Sequence, residues 1–488
     1  MVHQFDPETE NIIAVLLKNL PSENKIYMVG GMVRDILLNQ SVQDIDLSFC
    51  GPVREFAKKV ADDLHATFFM LNEKYQTARI IYRSKNNKKR WIDIVATREN
   101  NIYQDLRQRD FTVNAIAIDV EERSKIIDPL QGAKDLTNKN IRLCNPKGIA
   151  DDPVRILRAV RLSVQFGWRI DQETLSAIKE SVERLSFVSA ERKRDELFKI
   201  FDLPKPHSAI RILEHLKLLP YCFPFPDWEI NEGLNESIRY SLSCLQKFVE
   251  FENLLIAGNK SEGAMDLRQG EILQHLGRFR SFFSNYLLDS LHPDRSIRSV
   301  LVFCYVLFAI FKMNIFDGKS HEISMVDNSV KNFFNQTAQL LVLSSMEMKW
   351  IHNFFNGIRL FDNLVQLEDV CRPETAYLFF KESKMAGVGA CLFSITNYLI
   401  TDTESIEKDN WIKSLQISEY LIDAYFYHYD EWVIPQSFIN GYDIMRILNI
   451  HDGQEIGLLI QQIKLETVKG TIKSRKEAIN FLLKNRRN

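Results

Sequence analysis

The sequence predicts a protein of the α+β class, in which a mixed β-sheet with helices comes first and an all-helical region follows. Short runs rich in β-forming residues at 67–71, 78–83 and 91–96 alternate with helical patterns in the first part of the chain. From about residue 147 onward, the apolar residues follow long helical patterns with few turn signals. We therefore expect a head of about 120 residues, which is a common domain size, followed by a helical remainder.

The composition is that of an ordinary globular protein. The chain has 488 residues, of which 45% are hydrophobic and 26% are charged, and its formal net charge is −2. Because the net charge is so small, any RNA contact must come from a local basic patch. One such patch starts at Lys464, from which eight Lys or Arg residues stand against two acidic ones. A solvated helix face explains the same pattern equally well.

The cellular location is predicted from targeting signals and cysteines. The N-terminus MVHQFDPETE has no basic-then-apolar signal pattern, and no apolar run is long and uncharged enough to span a bilayer. The seven cysteines are spread singly, without CxxC motifs or histidine clusters at zinc-ligand spacing. We expect reduced and mostly buried thiols, a cytoplasmic location and no membrane partner.

The first elements of the head can be assigned in chain order. Apolar residues at helical spacing predict one helix over 7–20 and another over 53–64. Between them, the apolar run at 26–29 is typical of a buried strand. The polar and basic stretch SKNNKKR at 84–90 predicts a hairpin loop between two strands.

Two glycines and an arginine follow the strand at 26–29. Gly30 and Gly31 precede a helical pattern, so backbone N–H groups and the helix N-terminus can approach a phosphate. Arg34 is expected in the first turn of that helix, where its guanidinium can brace a triphosphate. A tight strand-to-helix turn without a ligand is the alternative explanation for the two glycines.

Asp44 and Asp46 lie two residues apart on a predicted strand, so both carboxylates would point to the same face. Mg²⁺ prefers a few carboxylate oxygens together with substrate phosphates, which makes this pair a candidate metal site for phosphoryl transfer. A DxD pattern by itself is more often a solvated strand edge, but the nearby glycines and Arg34 favour the site. Asp93, on another predicted strand, is either a third carboxylate or an outward surface acid.

A series of segments in the first two hundred residues resembles the class II tRNA nucleotidyltransferases and bacterial poly(A) polymerases, a branch of the polymerase β superfamily. They are GGMVRD with DID at 30–46, RDFTVNAIAID at 109–119, IDPLQGAKDLTNKNIRL at 127–143, DDPVRILRAVRL at 151–162 and SAERKRDEL at 189–197. The resemblance implies a polymerase β-like nucleotidyltransferase head. It also implies Mg²⁺ held by the two DID acids and a triphosphate held by the glycines and arginine of GGMVRD.

Arg109 and Asp110 are a cation and an acid side by side, able to contact phosphate oxygens and ribose hydroxyls. Their segment looks like the one that contacts the ribose of the incoming nucleotide in the family. Gln108 stands where the family usually has a second arginine, and Arg107 is the available substitute. A surface Arg–Asp pair is the alternative.

Asp152, Arg155 and Arg158 form the predicted base-reading group. Asp151 and Asp152 precede Pro153, which predicts a helix start. The three side chains would then lie three residues apart along one helix face. A carboxylate only accepts hydrogen bonds and a guanidinium only donates them, so Asp152 can accept from the exocyclic amine of C or A while Arg155 donates to the adjacent ring acceptor. G and U would place a carbonyl against the carboxylate. A salt bridge within one helix is the alternative, and the family usually has Glu where Asp151 stands.

The predicted division of the chain has four parts. Residues 1–145 form the nucleotidyltransferase head, and 146–205 form a neck that carries the base-reading helix. Residues 206–430 form a helical body, and 431–488 form a tail. The tail resembles the family's C-terminal helices, which grip the tRNA elbow, and SAERKRDEL is expected to fix the neck helices without a catalytic role.

The body contains a degenerate version of a motif found in larger relatives. The segment from Arg295 resembles their HD-type helix, but Phe308 and Ala309 stand where the metal-binding His–Asp pair would fall. We therefore expect no second metal site there. The aromatic-rich stretches at 300–316 and 340–361 are interpreted as hydrophobic core.

The resemblance implies template-independent addition of C and A to the 3′ end of tRNA from CTP and ATP, with release of pyrophosphate. An enzyme that adds only CC or only A shares these motifs, since the family's difference lies in a loop between head strands. A poly(A) polymerase is a further alternative, although a non-specific polymer binder would gain from a more basic surface. A catalytically inactive RNA-binding scaffold is the alternative of a different class, and the intact acids and arginines of the site argue against it.

Overall fold

The computed structural model of the protein describes residues 5–42, 44–83, 89–223, 232–256, 267–292, 295–315, 328–401 and 408–485. The chain divides into two compact units. The first is Met1–Glu196 with His215–Tyr221, and the second is Leu197–Glu214 with Cys222–Asn488. The finer division into head, neck, body and tail stays a prediction.

The first unit contains a seven-stranded sheet. Its strands are β1 (Lys25–Met28), β2 (Ile45–Cys50), β3 (Thr67–Asn72), β4 (Thr77–Arg83), β5 (Lys89–Ala96), β6 (Ala117–Asp119) and β7 (Ile126–Ile127). Their order across the sheet is β3-β4-β5-β2-β1-β6-β7. β2 runs parallel to β5, and the other neighbours are antiparallel. The predicted mixed sheet is confirmed, while residues 84–88 of the predicted hairpin loop lie outside the described residues.

The helices of the head accompany this sheet. They are α1 (Pro7–Asn19), α2 (Gly30–Leu37), α3 (Val53–Asp63), α4 (Ile102–Arg107) and α5 (Gly132–Thr137). α1 begins where the sequence predicts it, because the Asp6 side chain accepts hydrogen bonds from the Glu8 and Thr9 N–H groups. Both helices predicted from apolar spacing, over 7–20 and 53–64, are confirmed to within a residue at each end.

The elements that follow the head carry the predicted base-reading residues and their neighbours. The elements of this stretch are β8 (Asn140–Ile141), α6 (Gly148–Asp151), α7 (Arg155–Phe166), β9 (Arg169–Ile170), α8 (Gln172–Glu180) and α9 (Ala190–Phe201). α7 ends at Gly167, whose φ of 66° is the left-handed conformation that glycine adopts without strain. β8 pairs in parallel with β9, so the helical region is interrupted at this point.

The rest of the chain is dominated by helices. They are α10 (Pro206–His215), α11 (Leu219–Cys222), α12 (Glu232–Ile256), α13 (Leu267–Leu276), α14 (Arg280–Leu288), α15 (Ile297–Ile315), α16 (Asn328–Leu341), α17 (Ser345–Gln366), α18 (Pro373–Ser383), α19 (Ala386–Thr401), α20 (Lys408–Tyr427), α21 (Gly441–Leu448), α22 (Gly453–Val468) and α23 (Arg475–Asn485).

A second short strand pair, β10 (Ser290–His292) with β11 (Arg295–Ser296), lies between α14 and α15. The expectation of helices to the end of the chain is therefore wrong here, as it is at β9. Where the chain turns between helices, its backbone N–H and C=O groups lose their helical partners. A short strand pair satisfies several of those groups at once.

The aromatic residues of α15 and α17 form part of the core of the second unit. Phe303, Tyr305, Phe354 and Phe361 are all under 2% exposed. Phe308, at the first position of the degenerate motif, stacks on the Phe355 ring at 6.5 Å. The interpretation of these stretches as core is confirmed for their described side chains, which do not include that of Ala309.

One ion pair in the second unit is almost completely removed from water. The side chains of Arg295 and Glu347 are 5% and 0% exposed. Arg295 Nη2 donates to Glu347 Oε2 at 3.0 Å, and Nε donates to Oε1. Glu347 also accepts hydrogen bonds from Ser344 N and Oγ at 2.8 and 2.7 Å, which closes a capping box at the start of α17. One carboxylate therefore fixes both a helix start and a buried arginine.

The C-terminal helices α21 to α23 pack around their own apolar cluster. Its buried members are Ile439, Ile444, Leu448, Ile456, Ile463, Ile472, Ala478 and Leu482. In the basic stretch, Lys469 pairs with Glu466 at 2.8 Å and Arg475 pairs with Asp443 at 2.6 Å. Among the described residues, no helix is both long enough and apolar enough to cross a membrane.

The seven cysteines are all free thiols, as the sequence predicts. Cys222, Cys244, Cys304 and Cys391 are buried, whereas Cys371 is exposed. Four of the seven are thus shielded from solvent.

Asp362 on α17 provides a pH-dependent test of the second unit. Burial raises the pKa of this carboxyl from 3.8 to about 6, and the hydrogen bond from Tyr398 Oη at 3.3 Å only partly offsets it. The folded protein therefore holds a proton that the unfolded chain releases, so this group stabilises the fold below about pH 4 and the stabilisation is lost as the pH rises through about 6. Asp362→Asn, which stays neutral, should be more stable than the parent by about 1–2 kcal/mol above pH 7.

The measurement is the free energy of unfolding of parent and variant between pH 5 and pH 8. The advantage of the variant should grow from pH 5 to pH 7 and level off above it. If the two stability curves ran parallel over this pH range, the raised pKa of Asp362 would be contradicted.

Candidate active site

At the junction of β1 and α2, the backbone lies close to an acidic and a basic side chain. Gly30 has a φ of 69°, and a Cβ placed on it would lie 3.3 Å from Asp46 Oδ2 and 3.4 Å from Arg109 Nη1. A side chain at this position would be strained and would crowd both groups. The backbone N–H of Val29 donates to the Asp46 carbonyl at 3.0 Å, which ties the glycine turn to the strand that carries the acid. The predicted glycine turn thus lies directly against an acid and an arginine.

Arg34 lies in the last turn of α2, not in its first turn as predicted, because the helix begins at Gly30. It is only 8% exposed. Its Nη1 donates to Asn114 Oδ1 at 2.8 Å, its Nη2 pairs with Asp35 at 2.8 Å, and the guanidinium lies 4.7 Å from the centre of the Phe166 ring. A Cβ built on Gly31 would lie 3.3 Å from Arg34 Nη2. The guanidinium is therefore held beside Gly31 by its contacts with Asn114, Asp35 and the Phe166 ring.

The two acids of the DID sequence have different surroundings. β2 begins at Ile45, so Asp46 is on the strand and Asp44 precedes it. The prediction that both acids lie on the strand is wrong for Asp44, which is exposed and whose carboxylate accepts a hydrogen bond from the Trp91 N–H. Asp46 faces Asp93 across the parallel pair of β2 and β5.

Negative charge accumulates around Asp46. Burial raises its pKa to about 6, repulsion from Asp93 and Asp44 adds to this, and Arg109 and Arg34 oppose it. Although the residue as a whole is exposed, partial desolvation of the Asp44 carboxylate also raises its pKa, and repulsion from Asp93 adds to this. This excess of negative charge favours a cation.

Asp93 is held by a bidentate ion pair. Arg79 Nε and Nη2 each donate to its carboxylate at 2.7 Å, and the Arg79 guanidinium lies 5.1 Å from the centre of the Trp91 ring. The Asp93 side chain is 24% exposed, and both interpretations of this acid stay open. In the part of the chain that the structure describes, no three His, Cys, Asp or Glu side chains are arranged to hold a metal by themselves. A site of two carboxylates completed by substrate phosphates, as Mg²⁺ commonly uses, fits these donors.

Arg109 and Asp110 turn to different partners. Arg109 donates to Asp105 Oδ2 at 2.9 and 3.1 Å, beside the Gly30 turn. Asp110 accepts from Arg158 at 2.6 and 2.9 Å and from the Phe111 N–H at 2.7 Å. Burial would raise the pKa of Asp110, but Arg158 outweighs it and the pKa is lowered. The alternative, a surface pair of Arg109 with Asp110, is excluded, while contact with a sugar stays a prediction.

Arg158 is part of a buried ionic network. Besides Asp110, it contacts Glu196 Oε1 at 3.1 Å, and Glu196 Oε2 accepts from Arg161 at 2.9 Å. Both carboxylates hold the Arg158 guanidinium, so it does not join Asp152 and Arg155 in one base-reading group. The sequence predicted such a group of three. Glu196 was not singled out from the sequence. Its signal was its position about two turns into α9, directly before the apolar residues Leu197 and Phe198, where a buried acid needs a cation.

The helix that was predicted to carry the base-reading group starts later than expected. α6 ends at Asp151 and α7 begins at Arg155, so Asp152 lies between them with φ −145° and ψ 89°. Pro153 explains the break, since a proline disfavours helical conformation in the residue before it. The helix start predicted at Pro153 lies two residues before the observed one, and the predicted common helix face and the alternative of an intrahelical salt bridge are wrong for Asp152.

Asp152 and Arg155 each contact a residue distant in sequence. Asp152 Oδ2 accepts from Arg192 Nη2 at 2.8 Å. Arg155 Nη2 donates to the Gln108 carbonyl at 2.9 Å. A Cβ on Gly148 would lie 2.6 Å from Arg155 Nη1, so this glycine makes room for the guanidinium. The departure from the family at Gln108 thus sits directly beside one of the predicted base-reading residues.

Two domain families match the first part of this chain. Residues 26–142 match the family described as the poly A polymerase head domain. Residues 167–228 match the family described as a probable RNA and SrmB-binding site of polymerase A. The first match spans the seven-stranded sheet except for Lys25, and it includes Asp44, Asp46, Asp93 and Asp110.

Several curated proteins are similar to the chain. The CC-adding tRNA nucleotidyltransferase of Geobacter sulfurreducens is 36% identical over 38% of this chain and 42% of its own length. The protein of the same name from Synechocystis sp. is 24% identical over 93% of this chain and 92% of its length. The CCA-adding enzyme of Geobacillus sp. is 33% identical over 45% of this chain and 55% of its length. The two alignments above 30% identity thus cover about half of the length of each relative.

Solved structures share the fold over nearly the whole chain. A CCA-adding enzyme in its apo form I has a TM-score of 0.61 at 22% identity and covers 99% of this chain and 96% of its own. The Thermotoga maritima CCA-adding enzyme complexed with a tRNA has a TM-score of 0.58 at 24% identity, with 99% and 97% covered. At such identities the likeness concerns the fold, and it confirms the predicted α+β head with a helical remainder.

Proposed function

We propose that this chain, whose resemblance to the class II tRNA nucleotidyltransferases and bacterial poly(A) polymerases is confirmed by its two domain matches, adds C and A residues to the 3′ end of tRNA. CTP and ATP are the nucleotide substrates, and pyrophosphate is released. The observation that carries the proposal is the approach of Asp46 and Arg109 to the backbone of Gly30. A carboxylate, a guanidinium and a turn free of side chains meet there, as a metal-assisted nucleotidyl transfer requires.

Each residue of the site has a proposed role. Asp44 and Asp46 hold Mg²⁺, which when bound lowers the pKa of the attacking 3′-hydroxyl and offsets charge on the leaving pyrophosphate. Gly30 and Gly31 give the triphosphate access to the backbone N–H groups at the start of α2. Arg34, already fixed by Asn114, needs little reordering to face a phosphate, which limits the entropy lost on binding.

The sugar and the base are proposed to be read by separate groups. Arg109 and Asp110 contact the ribose and phosphate side of the nucleotide. Asp152 accepts from the exocyclic amine of C or A, and Arg155 donates to the neighbouring ring acceptor. Arg158 supports this arrangement by holding Asp110 in place. The tail beyond Lys464 contributes backbone phosphate contacts, and the protein works in the cytoplasm.

CC-only addition is the second candidate. The Geobacter and Synechocystis relatives are both named CC-adding enzymes, while the Geobacillus relative is named a CCA-adding enzyme. The head motifs are common to both activities, so the residues of the site do not distinguish CC addition from CCA addition. Both candidates share the acids and the base-reading pair.

The experiment that tests the proposal uses three tRNA substrates, which lack the 3′ end, end in C or end in CC. Each is incubated with labelled CTP or ATP and Mg²⁺. Full addition predicts that C enters the first two substrates and A enters the third. A CC-only enzyme incorporates C into the first two and leaves the third unchanged.

Three other outcomes would overturn the proposal. Long A tails on any RNA would indicate a poly(A) polymerase. Incorporation of UTP and GTP at the rate of CTP would contradict the base-reading roles. Binding of tRNA without any incorporation would indicate an inactive scaffold.

A further inference from the structure

Asp152 is held by only one of its two carboxylate oxygens. Oδ2 accepts from Arg192 Nη2 at 2.8 Å. Oδ1 is buried, with under 1 Å² accessible to solvent, and it accepts no hydrogen bond from any residue that the structure describes. A buried oxygen that accepts no hydrogen bond is energetically unfavourable. A ligand with an N–H group at this position would supply the missing hydrogen bond.

We infer that Arg192 is a positioning and specificity-determining residue, which holds Asp152 so that Oδ1 is presented as an acceptor to the amino group of the incoming base. The inference rests on the proposed function and adds to it a residue outside the predicted site. Arg192 acts through Asp152 and does not itself touch the nucleotide.

The chemistry of the contact explains why an arginine is suited to this task. A guanidinium can only donate hydrogen bonds and the oxygens of a carboxylate can only accept them, so Arg192 occupies Oδ2 and leaves Oδ1 as the free acceptor. An amino group of C or A satisfies that oxygen, whereas the carbonyl of G or U at the same place brings a second acceptor.

The local backbone makes an outside support necessary. Asp152 lies between α6 and α7 with an extended φ of −145°, so neither helix fixes its side chain. Arg192 is on α9, forty residues further along the chain. The support is therefore supplied by a separate element, and its loss should change the orientation of Asp152 without unfolding a helix.

The test compares Arg192→Ala and Arg192→Lys with the parent protein. Single-nucleotide incorporation into tRNA is measured with CTP, ATP, UTP and GTP, and kcat/KM is obtained for each. For Arg192→Ala, kcat/KM should fall about tenfold for CTP and ATP, mainly through KM, as expected for a lost charged hydrogen bond in the base contact. It should stay unchanged for UTP and GTP, so that discrimination falls by the same factor. Arg192→Lys, which keeps one donor, should recover part of the loss.

A matched control separates positioning from a general effect on the helix. Arg194→Ala removes an arginine from the same helix whose side chain pairs with Asp195 at 2.8 Å. It should leave the ratio of kcat/KM between CTP and UTP unchanged. The Arg192 side chain is 56% exposed, so its removal should not lower the unfolding temperature. An equal fall for all four nucleotides in Arg192→Ala, or no change for any of them, would overturn the inference.

Equilibrium binding keeps this inference distinct from the proposed activity. CTP and UTP binding to the parent and to Arg192→Ala is measured by calorimetry, which needs no turnover. If the parent incorporates nothing into tRNA, the proposed function fails. A preference for CTP over UTP that Arg192→Ala abolishes would still support the role of Arg192, and a preference that survives the change would overturn it.

Discussion

Asp46→Asn is expected to reduce nucleotide incorporation by on the order of a thousandfold or more, equivalent to about 4 kcal/mol of transition-state stabilisation. Asparagine keeps the shape of the side chain and removes the charge that is proposed to hold Mg²⁺. Neither neighbouring acid replaces it, because Asp93 is engaged by Arg79 and Asp44 is already proposed as a ligand of the metal. The measurement is kcat/KM for CTP at saturating Mg²⁺.

The same variant should bind tRNA as the parent does, since the site acts on the nucleotide. It should also fold normally, because asparagine removes one of three crowded negative charges. Asp63→Asn is the matched control, as it alters an exposed carboxylate that pairs with Lys18 at 2.9 Å. Activity of Asp46→Asn within tenfold of the parent would exclude the metal-binding role.

Glu347→Gln is expected to destabilise the second unit by about 3–5 kcal/mol. The change leaves Arg295, whose side chain is 5% exposed, as a buried charge without its counter-ion. Burial alone would raise the pKa of Glu347, but hydrogen bonds from Arg295 and Ser344 outweigh it, and the lowered pKa indicates that the fold favours the ionised form. The measurement is the urea-induced unfolding transition of the full chain at pH 7.

Two comparisons identify the cause of this loss. Glu250→Gln changes a carboxylate that is 43% exposed and pairs with Lys247, and it should cost under about 0.5 kcal/mol. The double variant Arg295→Met with Glu347→Leu should recover much of the stability, because two apolar side chains need no charge compensation. A Glu347→Gln protein as stable as the parent would show that the pair contributes nothing.

The sequence was sufficient to predict those features that depend on local pattern. The helix at 53–64 was predicted from apolar spacing, and the head strands were predicted from runs of β-forming residues bounded by turns. The nearness of Gly30 and Asp46 also followed, because a short strand, a turn and a short helix leave few ways to join them. The acid at 46 and the glycine at 30 are indeed in contact distance.

The features that were predicted wrongly depend on where an element begins. Arg34 was placed in a first turn because α2 was expected to start after the glycines, whereas the backbone at Gly30 already enters the helix. Asp152 was placed on α7, although Pro153 prevents a continuous helix at that point. Element ends are set by one or two backbone torsions, which residue spacing does not record.

The partners of the site residues could not be predicted, since they are distant in the chain. Asp110 and Arg158 are 48 residues apart, and Arg158 and Glu196 are 38 apart. Each of these residues by itself looks like an ordinary charged side chain on a polar helix or loop. Only the packing of α7 and α9 beside the head brings them together, and that packing is a long-range property of the fold.

This chain of contacts from Asp110 through Arg158 to Glu196 has a consequence for protein engineering. The first compact unit includes Glu196, the last member of the network, and also His215–Tyr221, so it reaches well beyond the head boundary predicted at 145. A head exchanged between relatives at that boundary would receive a foreign partner for Asp110, a buried acid that depends on Arg158. Chimaeras should therefore keep residues 1–196 from one parent, so that Asp110, Arg158 and Glu196 are inherited together.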